Sequence, residues 1–217
     1  MTEKKRSSVL RRMAVALAAV VVLGYLFIGS LETTLSEPYT VERAHLAKWT
    51  LVLEPAEGPN PPLLSARTGP ELAASLFRQV FQRAMESMST PATSSIAIVL
   101  HGEFDRALAG RMTPTELLAA ARAAGLESAS HTPRCVAHRR ISEPGMTRQT
   151  YFAIVDSPSI AGFREQLAKT GAGAFDAAAL TPVMIVGASD PAFHRWLPIR
   201  AEEKDCVAPI QIGQGQD

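Results

Sequence analysis

An uncharged, largely apolar run of nineteen residues spans positions 13–31. A helix of this length reaches about 28 Å at 1.5 Å per residue, close to the roughly 30 Å hydrocarbon core of a bilayer. The run therefore predicts a transmembrane anchor over 13–31. The positive-inside bias predicts that residues 1–12 form a basic stub in the cytoplasm. Five cations precede the run, against the single anion Glu3: Lys4, Lys5, Arg6, Arg11 and Arg12.

The alternative to an anchor is a cleaved signal peptide, which ends in small residues with an Ala-x-Ala pattern. Bulky residues such as Phe27 and Ile28 occupy most of the candidate cleavage positions, and no Cys follows the run to carry a lipid. We therefore expect a single-pass protein of a bacterial inner membrane. Its C-terminal domain is expected in the periplasm and its N-terminus in the cytoplasm.

After this run the chain is first polar, and then apolar residues recur at the spacing of strands and helices. Residues 32–46 are polar and predict a juxtamembrane tether, and the short apolar run 49–53 predicts a strand before a proline-rich loop. Thr68 and Glu71 have the spacing of a capping box, which predicts an amphipathic helix over about 70–88. Its apolar stripe is interpreted as core in preference to a docking face: Leu72, Leu76, Phe77, Val80, Phe81, Ala84, Met85 and Met88.

From residue 94 onward the predicted elements follow the order β-α-β-β-α-β. The helices are marked by a capping box at Thr113 and Glu116 with a stop at Gly125, and by Ser157 before a proline with a stop near Gly171. The two middle strands form a hairpin. The four predicted strands cover 95–100, 134–142, 150–155 and 182–186.

This order predicts an α+β fold whose exported domain, residues 47–206, is ferredoxin-like with an extra N-terminal strand and the amphipathic helix. In that arrangement the strand at 182–186 lies at a sheet edge, yet it is too apolar to be left open. We therefore expect the strand at 49–53 or the helix at 70–88 to cover it. A different α+β sheet is the alternative, and residues 207–217 are predicted to be a loose tail or to become ordered only against a partner.

Charge disfavours nucleic acid as a partner. The whole chain carries a net charge of +1. Setting aside the five leading cations and Glu3 leaves 17 of the 22 Lys and Arg and 20 of the 21 Asp and Glu, a net charge of −3. An acidic domain of this kind lacks the basic surface that phosphate backbones require.

The chain has two cysteines, Cys135 and Cys206, both on the side predicted to be exported. Oxidation is permitted there, so we expect a disulfide, with two buried thiols as the alternative. Closing a loop of this length stabilises the fold by about 4 kcal/mol in the chain-entropy model. His131 and His138 flank Cys135, but an extended strand would point His138 to the opposite face, so we expect neither a metal nor a cofactor.

Three residues form a candidate catalytic set. His101 and Asp156 each follow a predicted strand and are expected at the same sheet edge, with Ser157 beside them as a hydroxyl nucleophile. The favoured interpretation is structural, with Asp156 and Ser157 capping a helix and His101 in a turn. A further group after the last strand, Phe193, Arg195 and Trp196, is a candidate partner-binding site, because Trp and Arg are common at interface centres.

The leading functional hypothesis is therefore an accessory, structural or assembly subunit that binds the lipid bilayer through its anchor and binds another envelope membrane protein or complex. An anchor raises the effective concentration of such a domain toward its neighbours. The alternative is a membrane-anchored hydrolase that uses His101, Asp156 and Ser157.

Overall fold

The computed structural model describes residues 13, 15–24, 36–58, 60–143, 145–171, 173–190 and 200–213. The chain divides into two compact units, Met1–Glu37 and Pro38–Asp217. Within the first unit residues 15–24 are helical, and their large apolar side chains are exposed. The second unit contains the sheet and the helices described below.

The predicted transmembrane anchor is contradicted. Among the described residues, no helix is long and apolar enough to cross a membrane. The helix at 15–24 covers barely half of the expected span, and positions 14 and 25–31 of that span lie outside the described residues. The predicted single-pass location in a bacterial inner membrane is wrong for the same reason.

The second unit is α+β, with an eight-stranded mixed sheet. Among the described residues of this unit, short 3₁₀ helices cover Arg43–Leu46 and Glu203–Asp205. The α-helices in the same part of the chain are α1 (Glu71–Ala84), α2 (His101–Ala107), α3 (Pro114–Ala123) and α4 (Pro158–Thr170). The strands are β1 (Tyr39–Glu42), β2 (Thr50–Leu53), β3 (Pro62–Thr68), β4 (Ser94–Leu100), β5 (Thr132–Glu143), β6 (Met146–Asp156), β7 (Val183–Ala188) and β8 (Cys206–Gly213).

The predicted ferredoxin-like strand order is wrong. The observed order is β1-β8-β5-β6-β7-β4-β3-β2, in which β1 and β8 are parallel and every other neighbouring pair is antiparallel. A ferredoxin-like sheet would place β7 on the far side of β4. Here β7 lies between β4 and β6, where all six of its residues are buried.

The two connections explain this order. A single helix between β4 and β5 would make them parallel, but two helices, α2 and α3, lead away from the end of β4 and back to the same end of the sheet. Residues 171–182 likewise return the chain after α4, and the amide of Val155 donates to the carbonyl of Pro182 at 3.0 Å. β7 therefore starts beside the end of β6 and runs antiparallel to it.

One face of the sheet packs against all four helices in the main core. Alternate residues of β3, β4, β6 and β7 face this core, among them Leu64, Ile96 and Met184. The ring of Phe77 in α1 lies so close to Gly187 that a Cβ atom at Gly187 would approach it to 2.8 Å. The apolar β7 is thus covered by α1, as the sequence predicts, although it is a central strand.

The opposite side of the sheet, called here the second face, carries Ser65, Arg67, Ser95, Ala97 and Ile185. A smaller apolar cluster on this face contains the side chains of β5, β6 and β7 that alternate with the main core. The predicted disulfide between Cys135 and Cys206 is present within it. It links the start of β8 to β5. Residues 207–213 of the expected loose tail belong to a strand inside the sheet.

On each edge strand, a side chain makes hydrogen bonds to outward-facing backbone groups of one residue. On β1 the amide side chain of Gln79 accepts from the Thr40 N–H at 2.9 Å and donates to the Thr40 carbonyl at 2.7 Å. On β2 the carboxylate of Glu127 accepts from the Leu51 N–H at 3.1 Å. A strand placed against either edge would compete with these bonds.

Both the start and the end of helix α1 differ from the prediction. The capping box at Thr68 and Glu71 is not formed, and the hydroxyl of Ser94 instead accepts from the Ala73 N–H at 2.9 Å. The helix stops at Ala84 because Met85 adopts a left-handed conformation with φ of 51°. By contrast, the predicted caps of α3 and α4, at Thr113 and Ser157, are both present.

A buried guanidinium joins three parts of the second unit. Arg164 of α4 is 1% exposed, and all five of its N–H groups are used. It makes two bonds of 2.7 and 3.1 Å to the carboxylate of Glu103 in α2 and one of 2.7 Å to the carbonyl of Ile98 in β4. Two further bonds of 2.9 Å reach the carbonyls of Asp176 and Ala177 in the return loop.

We expect Arg164→Leu to lower the free energy of unfolding by about 3–5 kcal/mol, because Glu103 would be left charged and buried without a partner. Denaturant unfolding measures this change. The double variant Glu103→Leu with Arg164→Leu is expected to regain part of the loss. Equal stability of Arg164→Leu and the wild type would contradict the assignment.

We expect Met85→Gly to raise the free energy of unfolding by about 0.5–1 kcal/mol, because glycine adopts the left-handed conformation without a Cβ clash. Met85 is 82% exposed, so little packing is lost. The matched control is Gln82→Gly inside the same helix, which is expected to lower stability by about 1 kcal/mol. A destabilised Met85→Gly would show that its side chain matters more than its backbone angle.

Candidate functional site

The three candidate catalytic residues do not form a set. His101 and Asp156 follow strands that end at the same side of the sheet, but β7 lies between these strands and separates them by about 10 Å. The Nε2 atom of His101 lies 2.9 Å from the carbonyl oxygen of Glu54, to which it donates. Asp156 is exposed at the end of β6. The predicted triad is therefore not assembled among these residues.

Ser157 instead pairs with His131, a histidine that the sequence analysis considered only as a metal ligand. The Nδ1 atom of His131 lies 2.7 Å from the Ser157 hydroxyl, and its Nε2 atom lies 3.0 Å from the Leu126 carbonyl. Since a carbonyl only accepts, Nε2 carries the proton and Nδ1 accepts from the serine. The ring of Trp49 packs edge-on against the imidazole at 5.0 Å.

This pair resembles an activated serine in its bonding but not in its surroundings. Ser157 is 6% exposed and His131 is 2% exposed. The Ser157 hydroxyl also accepts from the Ile160 N–H as the cap of α4. A nucleophile must reach a substrate carbonyl, which this buried hydroxyl does not do. The pair serves to fix the start of α4 to the loop before β5.

One opening in the second unit lies on the second face of the sheet. This feature, called here the sheet cleft, has a volume of about 350 Å³, within the range of ligand-binding pockets. Residues of β3 and β4 contribute to its lining. Its lining residues are Glu54, Pro55, Glu57, Pro62, Arg67, Pro91, Thr93, Ser95, Ala97 and Ile185.

An ion pair lies along the cleft. The Nε atom of Arg67 donates to a Glu54 carboxylate oxygen at 2.9 Å, and one of its terminal nitrogens donates to the other oxygen. The Glu54 side chain is 12% exposed and that of Arg67 is 37% exposed, so the carboxylate holds the guanidinium from the protein side. Three of the five guanidinium N–H groups make no hydrogen bond to any described residue.

The sheet register places Ser65 beneath this ion pair. Ser65 pairs with Val52 of β2, and it lies two residues before Arg67 while Val52 lies two residues before Glu54. The ion pair therefore crosses above Ser65, which is fully buried although it is on the second face. The Ser65 hydroxyl has no hydrogen-bond partner among the described residues. The Ser65 hydroxyl thus lies below the ion pair, and Ser65 is not one of the residues that line the cleft.

His101 contributes to the cleft by holding its rim. Its ring fixes the Glu54 carbonyl, and its backbone N–H donates to the Pro61 carbonyl at 3.0 Å. The loop between β2 and β3 is thereby attached at both ends to the residue that follows β4. The sequence favoured a turn at His101, with catalysis as the alternative. In the structure His101 is the first residue of α2 and holds the loop between β2 and β3 in position.

Phe193, Arg195 and Trp196, the candidate partner-binding group, lie outside the described residues. Within the described residues, no group of three or more His, Cys, Asp or Glu side chains is arranged to hold a metal ion. Sequence reasoning missed Arg67 entirely because strand β3 was not predicted.

Lower pH is expected to destabilise the fold through His131. Burial lowers the pKa of His131 below its usual value of 6.5, so the unfolded chain takes up the proton first. The free energy of unfolding then falls as pH drops below about 6.5, by up to about 1.4 kcal/mol per pH unit, until the folded pKa is reached. Burial also lowers the pKa of His138, which adds in the same direction.

Urea unfolding at pH 7.5 and pH 5.5 measures this effect. The loss of stability between the two pH values is expected to be smaller in His131→Gln than in the wild type. The same loss in both proteins would contradict the assignment to His131.

Comparisons with known proteins identify no relative. No family model, no curated protein and no solved structure matches this chain. The cleft is therefore interpreted from the chemistry of its own residues.

Proposed function

We propose that this protein is a non-catalytic binding protein, an accessory subunit that holds a short segment of another protein in the sheet cleft. The observation that carries the proposal is the guanidinium of Arg67, which Glu54 fixes in place at the cleft while three of its N–H groups make no bond to a described residue. A fixed donor of this kind recognises a partner without a large loss of side-chain freedom.

The rest of the lining supports a binding role. Three prolines, Pro55, Pro62 and Pro91, give the walls restricted backbones. The floor combines apolar atoms of Ala97 and Ile185 with polar side chains, which is the usual composition of a recognition site. A short peptide offers both polar backbone groups and apolar side chains to such a lining.

The hydrolase hypothesis has weaker support. Its serine is a buried helix cap, and its histidine and aspartate are directed to other partners or to solvent. The cleft lining contains carboxylates and hydroxyls but no histidine or cysteine. Among the described residues, binding is therefore the function that the geometry of this site favours.

The experiment is an equilibrium selection of peptides by the full chain. The library consists of acetylated hexapeptides, half with a free C-terminal carboxylate and half with a C-terminal amide, and is read by mass spectrometry. Ser95→Trp fills the cleft at a partly exposed position, and Gln82→Trp places the same side chain on the exposed surface of α1. Circular dichroism verifies that both variants fold.

We expect the wild type and Gln82→Trp to enrich the same peptides, and Ser95→Trp to lose that enrichment by about tenfold or more. Failure of the wild type to enrich any peptide would refute the proposal. Enrichment that persists in Ser95→Trp would also refute it, because the peptide would then bind elsewhere.

A further inference from the structure

We infer that Arg67 and Ser95 form a subsite for a carboxylate, and that the ligand of the sheet cleft carries this carboxylate close to a cationic group. The inference rests on the proposed binding role of the cleft and names the chemistry that the cleft recognises. An α-carboxylate near a positive charge occurs at the C-terminus of a peptide that ends in lysine or arginine, and also in free basic amino acids.

The carboxylate subsite follows from the hydrogen bonds of Arg67. Glu54 occupies the Nε side of the guanidinium, which leaves both N–H groups of one terminal nitrogen and one of the other. These remaining groups form the fork that binds the two oxygens of a carboxylate. Because Glu54 is the more buried partner, the fork is fixed on its protein side and remains accessible from the cleft.

A cross-strand neighbour of Arg67 adds a hydroxyl group at the same place. Ser95 is the partner of Arg67 in the β3–β4 pair, so their side chains lie beside each other at the cleft. Ser95 is partly exposed, and its hydroxyl makes no hydrogen bond to a described residue. The hydroxyl is therefore available to a ligand that binds the guanidinium of Arg67.

The charge of the Arg67–Glu54 pair indicates that the ligand also carries a cation. The guanidinium of Arg67 is already paired with the carboxylate of Glu54, so their two charges cancel. Binding a purely anionic ligand would add an uncompensated negative charge close to Glu54 in a confined space. A ligand that brings a cation together with its carboxylate avoids this repulsion.

The test compares three probes by titration of the ¹⁵N-labelled full chain, followed at the amides of Ser95 and Ala97. The probes are acetyl-Ala-Ala-Lys with a free carboxylate, the same peptide with a C-terminal amide, and free lysine. We expect the carboxylate form to bind about ten- to a hundredfold tighter than the amide, since a charge-assisted bond is lost.

Two variants assign this preference to Arg67. Arg67→Gln combined with Glu54→Gln removes the guanidinium without changing the net charge of the cleft, and it is expected to bind acid and amide equally. Arg139→Gln is the matched control, because Arg139 forms a similarly half-buried pair with Asp205 outside the cleft, at 2.8 Å. This control is expected to keep the preference for the carboxylate.

Equal dissociation constants of acid and amide for the wild type would overturn the carboxylate subsite while leaving a cleft that binds peptides. The same acid preference in the Glu54→Gln, Arg67→Gln variant would overturn the assignment to Arg67. If neither peptide shifts the Ser95 and Ala97 amides, both the subsite and the proposed function fail. If free lysine binds as tightly as the peptide acid, the subsite holds but its ligand is a free amino acid, which refutes the protein-segment role.

Discussion

The second unit depends on one buried cation. Removing a guanidinium from water has a large free-energy cost. Hydrogen bonds offset this cost here, because every N–H group of Arg164 has an acceptor. The acceptors belong to β4, α2 and the return loop, three segments far apart in sequence. Few other arrangements of these segments would satisfy the same five donors. The hydrogen bonds of Arg164 therefore link β4, α2 and the return loop in this one arrangement.

That arrangement has consequences for the second face of the sheet. The return loop, held at Asp176 and Ala177, brings β7 next to β6. With β7 in the middle and the described helices of this unit in the core on the other face, Arg67 of β3 and Ser95 of β4 are partly exposed on the second face. The sheet cleft occupies this position. A buried interaction on one side of the sheet thus determines what is accessible on the other.

Local signals in the sequence predicted local structure well. The caps of α3 and α4 were predicted because Thr113, Glu116 and Ser157 bond backbone groups within four residues of themselves. The apolar runs that became β4 and β7 were also recognised as strands. The disulfide was predicted because two cysteines in a chain assumed to be exported have one pairing.

Long-range features were not predicted, for identifiable reasons. Strand β3 lies next to a proline-rich loop and has polar residues, Ser65 and Arg67, on one side, so it lacked the apolar pattern of a strand. Helix α2 has seven residues and begins at His101 and Gly102, which have the composition of a turn. Without these two elements the connections were misjudged, and so was the strand order. The cleft was not predicted from the sequence, because Arg67 lies beside Glu54 and Ser95 only through the pairing register of β2, β3 and β4.

The side chains at the two sheet edges restrict how this protein associates with others. Gln79 substitutes for a neighbouring strand at Thr40, and Glu127 does the same at Leu51. Intermolecular strand addition at either border would require these side chains to rotate away and leave their own polar groups to solvent. Continuous backbone pairing with a further strand is therefore opposed at Thr40 on one border and at Leu51 on the other.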